Sequence, residues 1–385
     1  MSSYKKIRIL ETIRQGQIGG GESHLLDLVE NLNKEVFEPV VLSFTDGPMV
    51  ERLRGMGITT HVIHTTKPFD FSKWKQVKKL IESEQVQLVH AHGTRAHSNV
   101  SWAARKLKLP VVYTVHGWSF HDNQPFPLKK LRVLGEKYLT SRATVNISVS
   151  QSVHDTGLKY FSSYQSVVIP NGINQQKFNP SRSFKDIRAE LGIPNNSILV
   201  LFIARFTEQK QPLTMIRAFE KAAAANDRLR LLMVGDGELK AEADALVARS
   251  AVKEKIVMQT FRQDVPDILA AADMYVLPSL WEGLPLGLLE AMAMGKAVIA
   301  SKADGTKEVI QPNINGIMVN VESLEADVTH AIVQLASDAN LRARLGEQAR
   351  ATVTSGFSAA GMTRQVEEIY LRLVQHLSFL YPHNA

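Results

Sequence analysis

Glu282 and Glu290 lie within a glycine- and proline-punctuated stretch, residues 277–292. The apolar run before them reads as a strand that ends near Pro278, and the residues from Pro285 onward read as a helix. Proline suits the first turn of a helix, where its missing N–H costs nothing. The free amides of that turn favour an anion. Carboxylates accept hydrogen bonds from sugar hydroxyls. Glu282 in the loop and Glu290 in the helix therefore suit a ligand carrying both hydroxyls and phosphate. An ordinary helix carboxylate and an N-terminal charge partner explain them equally well on chemistry alone.

Arg205 and Lys210 follow the apolar run 198–203. Cations at the carboxyl end of a strand lie where open α/β sheets take ligands. A planar guanidinium fork and a flexible ammonium together suit a diphosphate; two solvated loop charges are the alternative. Gly19, Gly20 and Gly21 precede Glu22 after the first apolar run, so backbone there can approach a ligand at a helix N-terminus. The spacing is not G-x-G-x-x-G, which disfavours a dinucleotide site. Residues 234–238 likewise lack a third glycine.

Nine of the twelve histidines precede residue 155. His90 and His92 alternate on one strand, share a face and are within reach of one metal. No nearby carboxylate is evident to complete a site, so the expectation is no metal, with one histidine packed under a loop and the other lining a crevice. His116 directly follows the run 111–115, where an imidazole can donate to an oxygen in the crevice; a purely structural role is equally compatible.

These side chains need a scaffold. Short apolar, β-branched runs at 7–10, 39–44, 61–63, 88–91, 111–115, 145–149 and 167–169 alternate with amphipathic segments at 22–33, 72–83, 97–107, 128–140 and 151–160. The pattern restarts with runs at 198–204, 229–234, 256–259, 274–277, 297–300 and 316–319. Strands that are apolar throughout and alternate with helices imply parallel sheets covered on both faces. Turn signals at 170–174 mark the reset. The expected organisation is a first α/β domain over 1–170, a second over 171–357, and a long helix over 358–385 with Val366, Ile369, Leu373 and Leu377 at helical spacing.

The 385 residues fit two or three domains. With no cysteine, disulfide scaffolds, iron–sulfur clusters, thiolate zinc sites and cysteine nucleophiles are excluded. No apolar run approaches the ~18 residues that span a bilayer, and no secretory core follows the N-terminus, so a cytoplasmic location is expected. The net charge of +7 is uneven: residues 1–180 hold 23 Lys and Arg against 14 Asp and Glu, the remainder 22 against 24. A basic first half suggests an anionic partner. No nucleic-acid reader motif appears, so nucleic acid is not expected.

In combination these motifs resemble the retaining glycosyltransferases of family 4. The resemblance rests on Glu282-x7-Glu290, Arg205-x4-Lys210, Gly19-Gly20-x-Glu22, His90-x-His92, His116-Gly117, Pro170-Asn171-Gly172-Ile173, residues 269–273 and Asn315-Gly316, in order along nearly the whole chain. It implies a GT-B fold, two doubly wound Rossmann-like domains facing each other across a cleft, with the C-terminal helix returning to the first. It also implies roles. Glu290 would hold a ribose; Arg205 and Lys210 would bind the diphosphate and neutralise the leaving group, helped by amides around Gly283, Leu284 and Leu286. Glu282 would contact the donor sugar, His116 would hydrogen-bond it, Gly20 and Gly21 would bring backbone close to phosphate or acceptor, and the Phe261–Arg262 loop would lie by the base. Ala204, Gln211 and Lys307 depart from the residues usual at those positions, which bears on loop shape and donor choice.

The implied reaction moves a hexose or N-acetylhexosamine, with retention, from a nucleotide sugar to a glycan or lipid-linked acceptor in bacterial surface polysaccharide or lipopolysaccharide synthesis. It needs no metal or other cofactor. A noncatalytic nucleotide-sugar-binding subunit, or an epimerase of the same fold, is the alternative. Lys73, Lys75, Lys78 and Lys79 around Trp74, and Lys129, Lys130, Arg132 and Lys137, give two basic helices. They are read either as solvated faces or as a surface that docks peripherally on an anionic inner leaflet.

Overall fold

The computed structural model describes residues 6–121 and 124–380, the last five of these as helix backbone only. The expected apolar side chain Leu377 and residues 381–385 of the expected C-terminal segment lie outside the described set.

Two compact units emerge. One comprises residues 1–172 with 359–385, the other 173–358. The first holds seven parallel strands: β1 (Ile7–Ile13), β2 (Phe37–Ser43), β3 (Thr59–Val62), β4 (Leu88–His92), β5 (Val111–Val115), β6 (Val145–Ser148) and β7 (Val167–Val168). Their order is β3-β2-β1-β4-β5-β6-β7. The second holds six: β8 (Ile198–Ile203), β9 (Leu229–Val234), β10 (Ile256–Gln259), β11 (Met274–Leu277), β12 (Ala297–Ser301) and β13 (Ile317–Val319), in the order β10-β9-β8-β11-β12-β13. Every ladder among the described residues is parallel. The chain order reverses between β1 and β4 and again between β8 and β11. Ligands of open α/β sheets bind at such reversals, beyond the carboxyl ends of the strands.

β4 and β5 are buried at every residue and β8 at all but its last, as central strands covered on both faces must be. In the second unit Val200, Phe202, Leu231 and Ile299 pack against Met215, Phe219 and Ile332 from the covering helices. The helix Pro48–Gly55 has no counterpart among the expected segments. It is short, and its apolar face is carried by only Met49, Val50 and Leu53. Pro285 caps the helix Leu286–Ala293 in extended conformation rather than occupying its first turn.

The helix Ala359–Leu380 covers the first sheet. Met362, Val366, Ile369 and Tyr370 pack against Ile9, Phe37, Leu88 and Val112. Tyr370 also brings a hydroxyl into the layer. Glu11 of β1 lies in register with His90 of β4, and His92 is two residues on along the same face. The Tyr370 hydroxyl donates to Glu11 Oε1 at 2.7 Å, and His92 Nε2 meets Glu11 Oε2 at 2.9 Å. Burial by itself would raise the Glu11 carboxyl. The facing His90 and the hydrogen bonds from both histidines outweigh it and hold Glu11 well below the usual carboxylate range. A fully buried carboxylate is tolerated only with this many partners. Tyr370→Phe removes one donor and keeps the ring. The expected loss of stability is about 1–3 kcal/mol, measured by urea unfolding, against almost none for Tyr138→Phe, whose side chain is exposed.

Candidate active site

In the second unit the motif residues gather beyond β8 and β11, on either side of the strand-order reversal. β8 ends at Ile203, and a loop carries the exposed Arg205 to a short 3-10 turn, Glu208–Lys210. β11 ends at Leu277, and its loop carries Glu282 to the helix Leu286–Ala293. The two loops are sewn together. The Leu280 amide donates to the Gln209 carbonyl at 2.8 Å, Gln209 Nε2 donates to the Trp281 carbonyl at 2.7 Å, and Lys210 Nζ donates to Glu282 Oε1. Glu282 and Lys210 are thus an ion pair, largely shielded from solvent. The amides of Leu286 and Gly287 precede the first intrahelical bond, from Leu288 to the Pro285 carbonyl, as the first amides of a helix must.

Tyr275 lies beneath both carboxylates. Its hydroxyl donates to the Ile203 carbonyl at 3.3 Å. Burial first, then the nearby Glu290 and Glu282, push its phenol above the ordinary range. A Cβ on Gly287 would sit 2.9 Å from that hydroxyl, so the glycine lets the helix start close over Tyr275. No spacing signal marks Tyr275.

Close backbone approaches hold both loops. A Cβ at Gly235 would lie 2.0 Å from the Ala204 carbonyl oxygen, and one at Gly237 would lie 2.5 Å from that of Phe206. The 234–238 turn, too weak to read as a phosphate motif, is therefore the floor of the Arg205 loop. Gly305 plays the same part for the Glu282 loop, with a Cβ position 1.8 Å from the Gly283 carbonyl oxygen. Gln211 holds a left-handed conformation, φ 55°. Its side chain compensates: Nε2 donates to the Glu208 carbonyl at 2.7 Å, and Oε1 accepts from the Thr214 hydroxyl at 2.6 Å. Arg262 is matched within the unit, bonded to Asp264 at 2.9 Å through Nε and to Glu190 through Nη1. Those carboxylates raise its pKa, Asp264 first. Its guanidinium therefore props the 261–264 loop and is not brought into the Lys210–Glu282 cluster.

In the first unit the residues again gather at the reversal. The helix Gly20–Asn31 opens just after β1, with Gly19 as its cap. The His116 ring, after β5, lies 3.5 Å from where a Gly21 Cβ would be, so Gly21 and His116 are brought together. His116 Nε2 is 3.1 Å from His92 Nδ1. The expectation that His90 and His92 share a face is met, but neither lines a crevice, for both are fully buried. The carboxylate that the sequence seemed to lack is Glu11. Glu11 falls one residue past the expected run 7–10, so no signal marks it as a buried strand residue. His24 completes the group; its Nδ1 meets Asn171 Oδ1 at 2.9 Å.

Burial, with neighbouring histidines adding to it, pushes His24 down to about 3, His92 to about 4 and His116 well below its ordinary value. His97, packed against Tyr113, is pushed to about 3 by burial alone. An unfolded imidazole titrates near ~6.5. Above that pH both states are neutral and the groups contribute nothing. Below it the unfolded chain takes up protons that the folded chain refuses, so stability falls until the folded values are reached. Each such histidine adds a slope on the order of 1 kcal/mol per pH unit. His97→Phe should flatten the stability–pH profile between about pH 6 and 4 by one proton's worth, measured by urea unfolding at a series of pH values.

Comparison with known proteins matches both units. Residues 183–352 match the family described as Glycosyl transferases group 1, and residues 18–177 match Glycosyltransferase Family 4. The chain is 26% identical over 385 aligned positions to the UDP-Gal:alpha-D-GlcNAc-diphosphoundecaprenol alpha-1,3-galactosyltransferase of Escherichia coli, covering 97% of this chain and 99% of that one. It is 26% identical to the N-acetyl-alpha-D-glucosaminyl L-malate synthase of Bacillus anthracis, over 79% of each. Among solved structures, Anabaena HepE in complex with UDP and glucose superposes with a TM-score of 0.82 at 22% identity, over 94% of this chain and 99% of that one. With each unit matched to its own part of one enzyme family, the chain belongs to the group 1 and family 4 glycosyltransferases, EC 2.4 enzymes with the GT-B fold.

Proposed function

We propose that this glycosyltransferase moves a hexose or N-acetylhexosamine, with retention of configuration, from a nucleotide sugar to a glycan or lipid-linked acceptor in bacterial surface polysaccharide or lipopolysaccharide assembly. A UDP donor is preferred over GDP. The observation that carries the reading is the Lys210–Glu282 pair at the β8/β11 reversal, beside the exposed Arg205 and the open amides of Leu286 and Gly287. The named donor of the E. coli relative and the ligands in the HepE structure point the same way.

Arg205 and Lys210 stabilise the departing diphosphate, the largest electrostatic contribution to the rate. Glu290 holds the ribose, Glu282 and His116 contact the transferred sugar, and the Gly20–Gly21 backbone approaches phosphate or acceptor. The phosphate oxygen takes the acceptor's proton. These cations do the work that a metal does elsewhere, so transfer proceeds without one.

Lys210→Ala should lower kcat by about 10²–10³. UDP-sugars should raise the thermal midpoint of the wild type by mass action and that of Glu290→Ala much less. Proton NMR of the product should show the donor's anomeric configuration. Donor consumed with no glycoside formed would identify an epimerase instead; nucleotide-sugar binding without turnover would identify a noncatalytic subunit.

Contact with an anionic membrane surface belongs to the same reading. The helix Phe126–Arg142 exposes Phe126, Leu131, Leu134 and Tyr138 among Lys129, Lys130, Arg132 and Lys137. Exposed apolar side chains interleaved with cations suit an interface of acyl chains and acidic headgroups. No helix among the described residues is long and apolar enough to cross a membrane. Vesicles containing phosphatidylglycerol should float the protein, and Leu131→Glu with Leu134→Glu should abolish flotation. Equal flotation with neutral vesicles would count against an electrostatic contribution.

A further inference from the structure

His24, His92 and His116 come from three separate elements, yet one nitrogen of each lies within 4.8 Å of the others. The partners of the remaining nitrogens fix the protons. Asn171 Oδ1 accepts only, so His24 Nδ1 carries the hydrogen of that 2.9 Å bond. The Glu11 carboxylate accepts only, so His92 Nε2 carries the hydrogen of the other. Both rings are fully buried, and a ring that carries a single hydrogen carries it on the nitrogen that faces the acceptor. His24 Nε2 and His92 Nδ1 must therefore both present bare lone pairs.

His116 has one proton to offer toward them. Given to His92 Nδ1, 3.1 Å away, it leaves His24 Nε2 with nothing, and that atom is fully buried and unpartnered among the described residues. An orphaned buried acceptor costs about 1–3 kcal/mol. One hydrogen shared between two converging acceptors serves each weakly, and none is seen at His24 Nε2, whereas a cation binds both lone pairs directly.

We propose that His24 Nε2, His92 Nδ1 and His116 Nε2 form a binding site for a divalent transition-metal ion of the zinc class. Three neutral imidazoles suit zinc, cobalt or nickel and not magnesium or calcium, which take oxygen ligands. The outer contacts are those that metal-bound histidines use: Glu11 orients His92, and Asn171 orients His24. Tyr370 in turn holds Glu11. His116 is the half-buried member and the side from which an ion enters. Ligand nitrogens around a tetrahedral ion with 2.0–2.1 Å bonds stand roughly 3.4 Å apart, so closing the site asks about an ångström of ring movement. The expectation from the sequence is no metal, with His90 and His92 the pair within reach of one; in the structure His90 meets Tyr370 and, at 2.7 Å, Thr114. The ion is assigned no step in sugar transfer, whose charge stabilisation rests with Arg205 and Lys210.

The test uses the full-length protein, stripped with chelator and titrated with Co²⁺ and with Zn²⁺. Uptake of about one equivalent, with the intense visible absorption of tetrahedral Co²⁺, is expected. Micromolar Zn²⁺ should raise the thermal midpoint and millimolar Mg²⁺ should not. His24→Gln and His116→Ala should each weaken uptake at least tenfold. Should a variant fold poorly, the wild-type spectrum and midpoint still decide. No uptake by the wild type, or uptake with the same spectrum in folded His24→Gln, overturns the site. The readout is metal binding and does not depend on the proposed reaction.

Discussion

Within each sheet the strands run parallel to their neighbours, and the rest of each unit follows from that constraint. Parallel strands require crossovers on the faces, so the only open ground lies beyond the strand ends. Where the strand order reverses, two neighbouring loops leave in opposite directions and a gap opens. In the second unit that gap falls between β8 and β11, and Arg205, Lys210 and Glu282 stand there because their loops leave those two strands. In the first unit it falls between β1 and β4, and Gly20, Gly21 and His92 stand there for the same reason.

The two reversals are furnished with opposite electrostatics. In the second unit Arg205 is exposed, and Lys210 is held by Glu282 in an ion pair largely shielded from solvent. In the first unit His24, His90 and His92 are fully buried, and the last two lie against one deeply buried carboxylate, Glu11. Such a network is tolerable only if almost every polar atom is satisfied, and the helix Ala359–Leu380 supplies the donor that Glu11 needs through Tyr370. The long C-terminal helix is therefore a chemical part of the first unit as well as its apolar lid.

Much of this is legible in the sequence, for identifiable reasons. Buried parallel strands are nearly continuous apolar runs, so β5, β9, β10 and β11 are delimited to the residue. Charged residues just past such runs, Arg205 and Lys210 among them, announce a site. Contacts between distant segments leave no such mark. Glu11 reads as an acid just past the first expected strand until β4 and the last helix bring His90, His92 and Tyr370 to it. Gly235, Gly237 and Gly305 read as weak loop glycines because the carbonyls they pack against belong to other loops. Arg262 reads as a ligand contact because nothing in the sequence reveals that Glu190 and Asp264 have already claimed it.

The Lys210–Glu282 pair bears on how the proposed donor is received. An ion pair shielded from water is expensive to break unless a better partner arrives. A diphosphate brings more negative charge than a carboxylate and meets Arg205 and the helix amides together with Lys210. Lys210 would then pass from Glu282 to phosphate, and Glu282 would be left needing donors. The hydroxyls of the transferred sugar are such donors, held beside it by the same ligand. On the proposed reading the pair would guard both charges while the site is empty and would couple recognition of the phosphate to recognition of the sugar as it fills.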